Sequence, residues 1–176
     1  MDNYKILDWD SDFFGFTVAK ILPHRITAIE LTETIEKIKK DGVTLAYWAS
    51  DPEDEESQSC AQSINAFLAD RKVTYVISSE EIQANDSGVA KIEPPVEEYP
   101  DVVPTAELLD LALQAGEFSR FKIDPRISED RFIELYTLWI RRSVAREIAD
   151  AVFVIRREGK IAGMVTVGEK AGRADI

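Results

Sequence analysis

Apolar positions change their period along this chain, and each change marks an element. Residues 4–22 hold two short apolar runs, read as two strands around a turn that carries Trp9, Asp10, Ser11, Asp12, Phe13, Phe14 and Gly15. Thr27 and Glu30 have the spacing of a capping box, whose side chains satisfy free N–H groups at a helix start. The helix that follows places Leu31, Ile35 and Ile38 on one face and ends at Gly42, a residue suited to the position just past a helix. Residues 43–50, VTLAYWAS, are apolar on both faces apart from Thr44, which predicts a central strand. A helix near 57–71 is expected to bury Ala61, Ile64, Phe67 and Leu68, and residues 73–78, VTYVIS, read as another strand. That order predicts right-handed crossovers and a largely parallel sheet in the first eighty residues.

Residues 84–104 break the pattern. Gly88, Pro94, Pro95, Pro100 and Pro104 fall there without a period, so the stretch reads as a linker with an extended run near 89–92. The organisation expected is an N-terminal α/β subdomain over 1–83, the linker, and a second unit over 105–176. In that second unit Thr105 caps a helix carrying Leu108, Leu109, Leu111 and Leu113, which ends at Gly116. Ser128 caps another, with Phe132, Leu135, Tyr136, Trp139 and Ile140 on its inner side. Residues 151–157 and 161–167 form a hairpin around Glu158, Gly159 and Lys160, residues 168–173 turn again, and 174–176 begin a further strand. The fold class is α/β, a mixed sheet flanked by helices.

Charge narrows the chemistry. The net charge of −12 argues against general nucleic-acid binding, because phosphates must be met by Lys and Arg. Residues 1–117 hold 9 Lys/Arg against 24 Asp/Glu, whereas residues 118–176 hold 12 against 9, so an anionic ligand would be better hosted by the second segment. A solvated acidic face on the first half accounts for the same numbers. The acidic run at 51–56, DPEDEE, has no Gly at the turn position of a calcium loop and reads as a solvated loop leading into a helix. The single His24 has no second His or Cys near it, which makes a metal site improbable. Cys60, the only cysteine, cannot form an internal disulfide and fits a reducing cytoplasm. No apolar run approaches membrane-spanning length, and the acidic start MDNYKILDWD is not a signal peptide.

No segment reads as a P-loop, a dinucleotide fingerprint, a nucleophile elbow or a zincin helix. Ser119, Arg120 and Phe121 follow a helix end, and Arg120 is a candidate contact for a substrate phosphate or carboxylate. Tyr136 and Trp139 lie three apart on one helical face, where core packing is the more ordinary role. Arg141, Arg142 and Arg146 are candidates for a nucleotide phosphate, although pairing of Arg146 with Asp150 at i,i+4 is the plainer account.

Two stretches carry a family resemblance: WDSDFFG at 9–15, and SRF at 119–121 together with YTLWI at 136–140 and the hairpin to Val167. The chain resembles the GNAT superfamily of acetyl-CoA-dependent acyltransferases, and within it the TDP-fucosamine acetyltransferase branch, which modifies an amino sugar on a nucleotide. The resemblance implies a splayed mixed sheet with acetyl-CoA against its fourth strand and the helix after it, whose free N–H groups bind pyrophosphate. It implies an amine acceptor approaching from the other side, a general base, and a tyrosine that protonates the leaving thiolate. On this template residues 174–176 begin the fourth strand. The glycine-rich loop, its helix and the C-terminal tyrosine are expected beyond Ile176, so the chain alone is expected to be inactive and incomplete at its C-terminus. Ser119, Arg120, Phe121, Tyr136 and Trp139 are then acceptor-side binding residues, and no residue is assigned to catalysis or to the cofactor. The open sheet edge offers a route to homo-oligomers. The competing expectation is a GNAT-like domain that binds a ligand or partner without transferring an acyl group.

Overall fold

The computed structural model describes residues 2–78, 80–81 and 94–176, and the chain forms two compact units, Met1–Leu68 and Ala69–Ile176. The class is α/β. The single mixed sheet expected resolves into two: a mixed three-stranded sheet in the first unit and an antiparallel four-stranded sheet in the second.

The first unit runs β1 (Tyr4–Ile6), α1 (Asp8–Phe14), β2 (Val18–Ile21), α2 (Ala28–Lys40), β3 (Leu45–Trp48) and α3 (Glu55–Ser63). β1 pairs antiparallel and β3 parallel with β2. The segment expected to be a turn is therefore a two-turn helix. Ser11 explains why so short a helix holds: its hydroxyl donates to Leu7 O at 2.7 Å and accepts from Val18 N at 2.9 Å, tying α1 to β2. Gly15, with φ of 76°, closes α1 in the left-handed region that a glycine enters without strain.

The capping box on α2 is present in full: Thr27 Oγ1 accepts from Glu30 N, and the Glu30 carboxylate accepts from Thr27 N. Leu31 and Ile38 are buried, Ile35 packs beside them, and Gly42 follows the helix end with φ of 72°.

Further expectations for this part of the chain fail. Only the β2–β3 pair is parallel, so the sheet is not the largely parallel one expected. β3 lies at the sheet edge rather than its centre, because β2 takes the middle position. α3 ends at Ser63 instead of continuing to residue 71, since Asn65 adopts a left-handed φ of 56° that a helix cannot continue through. Phe67 and Leu68 are accordingly exposed rather than buried. Residues 73–78 form no strand, and Val73, Tyr75, Val76 and Ile77 are all exposed: β-branched and aromatic residues favour a strand only where a neighbour packs against them.

The second unit contains β4 (Val96–Glu98), α4 (Ala106–Gly116), α5 (Arg120–Ile123), α6 (Glu129–Val144), β5 (Ala151–Arg157), β6 (Lys160–Lys170) and β7 (Arg173–Asp175), with sheet order β4-β5-β6-β7. β4 falls inside the stretch read as linker. Its placement is fixed by Tyr99, 2% exposed, whose backbone N–H donates to Val152 O and whose hydroxyl donates to Val103 O at 2.8 Å and accepts from Thr105 N at 3.1 Å. The extended run expected near 89–92 lies outside the described residues. Thr105 and Ser128 cap α4 and α6 through Leu108 N and Arg131 N, as their positions predict. The β5–β6 hairpin turns at Glu158 and Gly159, both with positive φ, as a two-residue hairpin of primed type requires. Ala171 and Gly172 repeat that geometry between β6 and β7. One face of the sheet, through Val152, Val154 and Ile161, packs with Leu108, Ala112, Ile140 and Val144 of α4 and α6 into a single core. Burial of each such branched side chain contributes roughly 1.5 to 3 kcal/mol, which is what holds the two helices on the sheet.

Candidate functional site

The segment between α4 and α6 makes a reversal that brings Phe121, with Arg120 over its ring, onto the aromatic side of α6. α4 ends at Gly116, and Ser119 N donates to Gly116 O, so the chain turns at once into α5. Phe121 is buried and meets Trp139 edge to face, with ring centroids 5.5 Å apart. Trp139 in turn meets Tyr136 edge to face at 5.2 Å, and Tyr136 meets Phe132 at 4.9 Å. Four of the five residues singled out in the sequence, Arg120, Phe121, Tyr136 and Trp139, are therefore one cluster, extended by Phe132, and Ser119 precedes it at the cap of α5.

Charge lies on this cluster in two places. The Arg120 guanidinium carbon stands 4.2 Å from the centroid of Phe121, and Lys122 Nζ stands 4.8 Å from that of Phe132. A cation over an aromatic face is held by the ring quadrupole, and Lys122 Nζ is at the same time paired with the Glu129 carboxylate at 2.6 Å. Ser119 Oγ is buried and has no hydrogen-bond partner among the described residues, although Ser119 occupies the cap position of α5. A buried hydroxyl without a partner costs free energy that a bound hydrogen-bonding group recovers.

What holds the reversal is a pair the sequence reading missed. Asp124, 3% exposed, accepts from Arg126 three times: from its backbone N at 3.0 Å, its Nε at 2.8 Å and its Nη2 at 2.8 Å. Asp-Pro-Arg at 124–126 was the available signal, because an Asp side chain readily bonds the backbone two residues on. Arg126 then closes a fork on both carboxylate oxygens.

Two of the three arginines considered for phosphate binding, Arg142 and Arg146, are committed elsewhere, and Arg141 is exposed. Arg142 pairs with Glu147 at 2.9 Å. Arg146 reaches the Asp150 carbonyl at 2.7 Å and Glu98 at 2.6 Å, so the expected partnership with the Asp150 carboxylate is replaced by one with its backbone. The Asp150 carboxylate accepts instead from Glu169 N. In the first unit, the acidic loop leads into α3 with Asp54 as its cap, and Asp51 is tied to Arg25.

The arrangement leaves Tyr136, Trp139 and Arg120 partly exposed, while Phe121, Phe132 and the Ser119 hydroxyl are buried. It brings together no nucleophile and base. No helix among the described residues is long and apolar enough to cross a membrane. No family model matches the chain, and no curated protein sequence matches it.

Proposed function

We propose that the chain is the acceptor-side portion of an N-acetyltransferase of the GNAT type, holding an amine, and most specifically an amino sugar carried on a nucleotide. The observation that carries this reading is the convergence of Phe121, with Arg120 over its ring, upon Trp139 and Tyr136 from two separate segments. Aromatic faces suit the apolar side of a sugar or a base, and Arg120 suits the phosphate that joins them. The α6–hairpin order that follows the cluster fits the same reading.

The pyrophosphate of acetyl-CoA needs a glycine-rich turn opening into a helix, and none of the helices described above opens from one. The described residues do not form that site.

Calorimetric titration tests the reading. TDP-fucosamine is expected to bind, and the same sugar nucleotide with a hydroxyl in place of the amine to bind more weakly. Acetyl-CoA alone is expected to bind weakly or not at all. Equal affinity for amine and hydroxyl sugars, or no binding of either, would overturn the acceptor assignment. Tight binding of acetyl-CoA would relocate the donor site into these residues.

A further inference from the structure

Residues 73–78, VTYVIS, have the composition of a strand and the exposure of a loop. They belong to no element, and Val73, Tyr75, Val76 and Ile77 are all exposed, Tyr75 to 92%. The segment carries no charge, no proline and no glycine. Short segments of that kind, left unpaired at a surface, gain from a backbone partner, because their N–H and C=O groups and their apolar side chains are both satisfied in a sheet. Single apolar residues on a surface are ordinary, whereas this run is a continuous apolar stretch.

The charges at its two ends say what pairs with it. Arg71 and Lys72 lead into the segment, and Glu80 and Glu81 follow it. All four are exposed, and none makes an ion pair among the described residues. The Glu81 carboxylate accepts from Ser78 N at 2.8 Å and its N–H donates to Ser78 Oγ at 3.2 Å, which turns the chain at the end of the segment. Flanks of like sign would hold two copies apart. Flanks of opposite sign attract when the copies run antiparallel, since the basic entry of one then lies beside the acidic exit of the other. Set antiparallel with Val76 opposite Val76, the segment places Lys72 opposite Glu80, Thr74 opposite Ser78 and Tyr75 opposite Ile77. Opposite charges, paired hydroxyls and an aromatic ring beside a β-branched side chain are the cross-strand pairs that stabilise a sheet. In parallel register every flanking charge would meet its own sign.

We propose that residues 73–78 are a self-pairing strand: the same segment of a second copy of this chain adds to it, antiparallel about Val76. The partner is a second copy because the segment is complementary to itself, in charge as in side-chain type, and a two-fold axis through Val76 satisfies both copies at once. The neighbour that a strand of this composition needs, and lacks among the described residues, is thereby supplied between chains. Two strands make a marginal ribbon, so further copies add at its edges, and association is weak at first and steepens with concentration.

Sedimentation velocity of the full chain over a concentration series tests this. The mean mass is expected to rise with concentration, and amide exchange across residues 73–77 to slow in step. Val76→Lys sets two like charges across the two-fold axis and is expected to keep the chain monomeric. Lys72→Glu is expected to weaken association roughly tenfold, since each pair of copies contains that contact twice, and Lys72→Glu/Glu80→Lys to restore it. All three positions are exposed, so far-ultraviolet circular dichroism of the variants is expected to match the parent chain. A chain that stays monomeric throughout would overturn the proposal. So would association that Val76→Lys leaves intact, or that Lys72→Glu/Glu80→Lys fails to restore. Slow exchange across residues 73–77 in a monomeric chain would also overturn it, since the segment would then pair within its own chain.

Discussion

The hydroxyl-bearing end of the Tyr136 ring lies against the backbone of Gly116, so close that a Cβ on Gly116 would stand 2.5 Å from Tyr136 Cζ and 2.7 Å from both Cε atoms. Gly116 is helical and buried, so it is required by contact and not by backbone conformation. The missing side chain lets α4 and α6 approach and sets where the Tyr136 ring sits in the cluster.

Gly116→Ala is therefore expected to destabilise the second unit by roughly 1 to 3 kcal/mol, the usual cost of an added methyl group in a filled core. Tyr136→Ala in the same chain should cancel much of that loss, because it removes the atoms that collide. Urea denaturation of the two single variants and the double variant checks this. Additive losses would show that the two residues do not meet.

The buried Asp124 carboxylate makes a second prediction. Arg126→Ala removes two of its three donors and leaves a charge 3% exposed without its counter-ion, which should cost about 3 kcal/mol. Asp124→Asn/Arg126→Met removes both charges and is expected to recover part of that. The measurement is a double-mutant cycle by chemical denaturation. A loss in Arg126→Ala within the range of an ordinary surface pair would mean that the fork does not hold the reversal.

Both relationships show where the sequence was legible and where it was not. Thr27 with Glu30, Thr105, Ser128 and the Glu158–Gly159 turn could be read directly, because a cap or a tight turn is chemistry confined to a few neighbouring residues. Tyr136 and Trp139 could be placed on one side of α6 by their spacing, and the structure puts them edge to face. What brings Phe121 to them is the turn after Gly116, a contact between segments that no local pattern encodes. α1 escaped notice because seven residues are too few to show a helical period, and its stability comes from the Ser11 bridge to β2. Residues 73–78 misled in the opposite direction. Their composition favours a strand, but strand formation is decided by a neighbour, and Tyr75 is 92% exposed.

In the first unit the Tyr4 hydroxyl donates to Asp41, and this bond, with burial and the Asp41 charge behind it, pushes the Tyr4 pKa from 10.0 up to about 12. The folded value lies above the unfolded one, so the protonated form is the one that folding favours. The stabilisation is complete below a pH of about 10 and is lost as the pH rises through about 12. Tyr4→Phe should therefore be less stable than the parent chain at neutral pH and should converge with it in strong alkali. Denaturant midpoints measured from neutral pH upward check the sign. A gap that widens between pH 10 and 12 would contradict it.

The central claim is that the cluster on α6 holds an amine-bearing sugar nucleotide, and the most direct measurement is its affinity for TDP-fucosamine when one charge is removed. Arg120→Met keeps an unbranched side chain over the Phe121 ring and deletes the guanidinium. Calorimetric titration should show the parent chain binding and Arg120→Met binding roughly tenfold more weakly, as the loss of one charged hydrogen bond dictates, with the fold intact. Undiminished affinity in Arg120→Met, or no binding by the parent chain, would contradict the account.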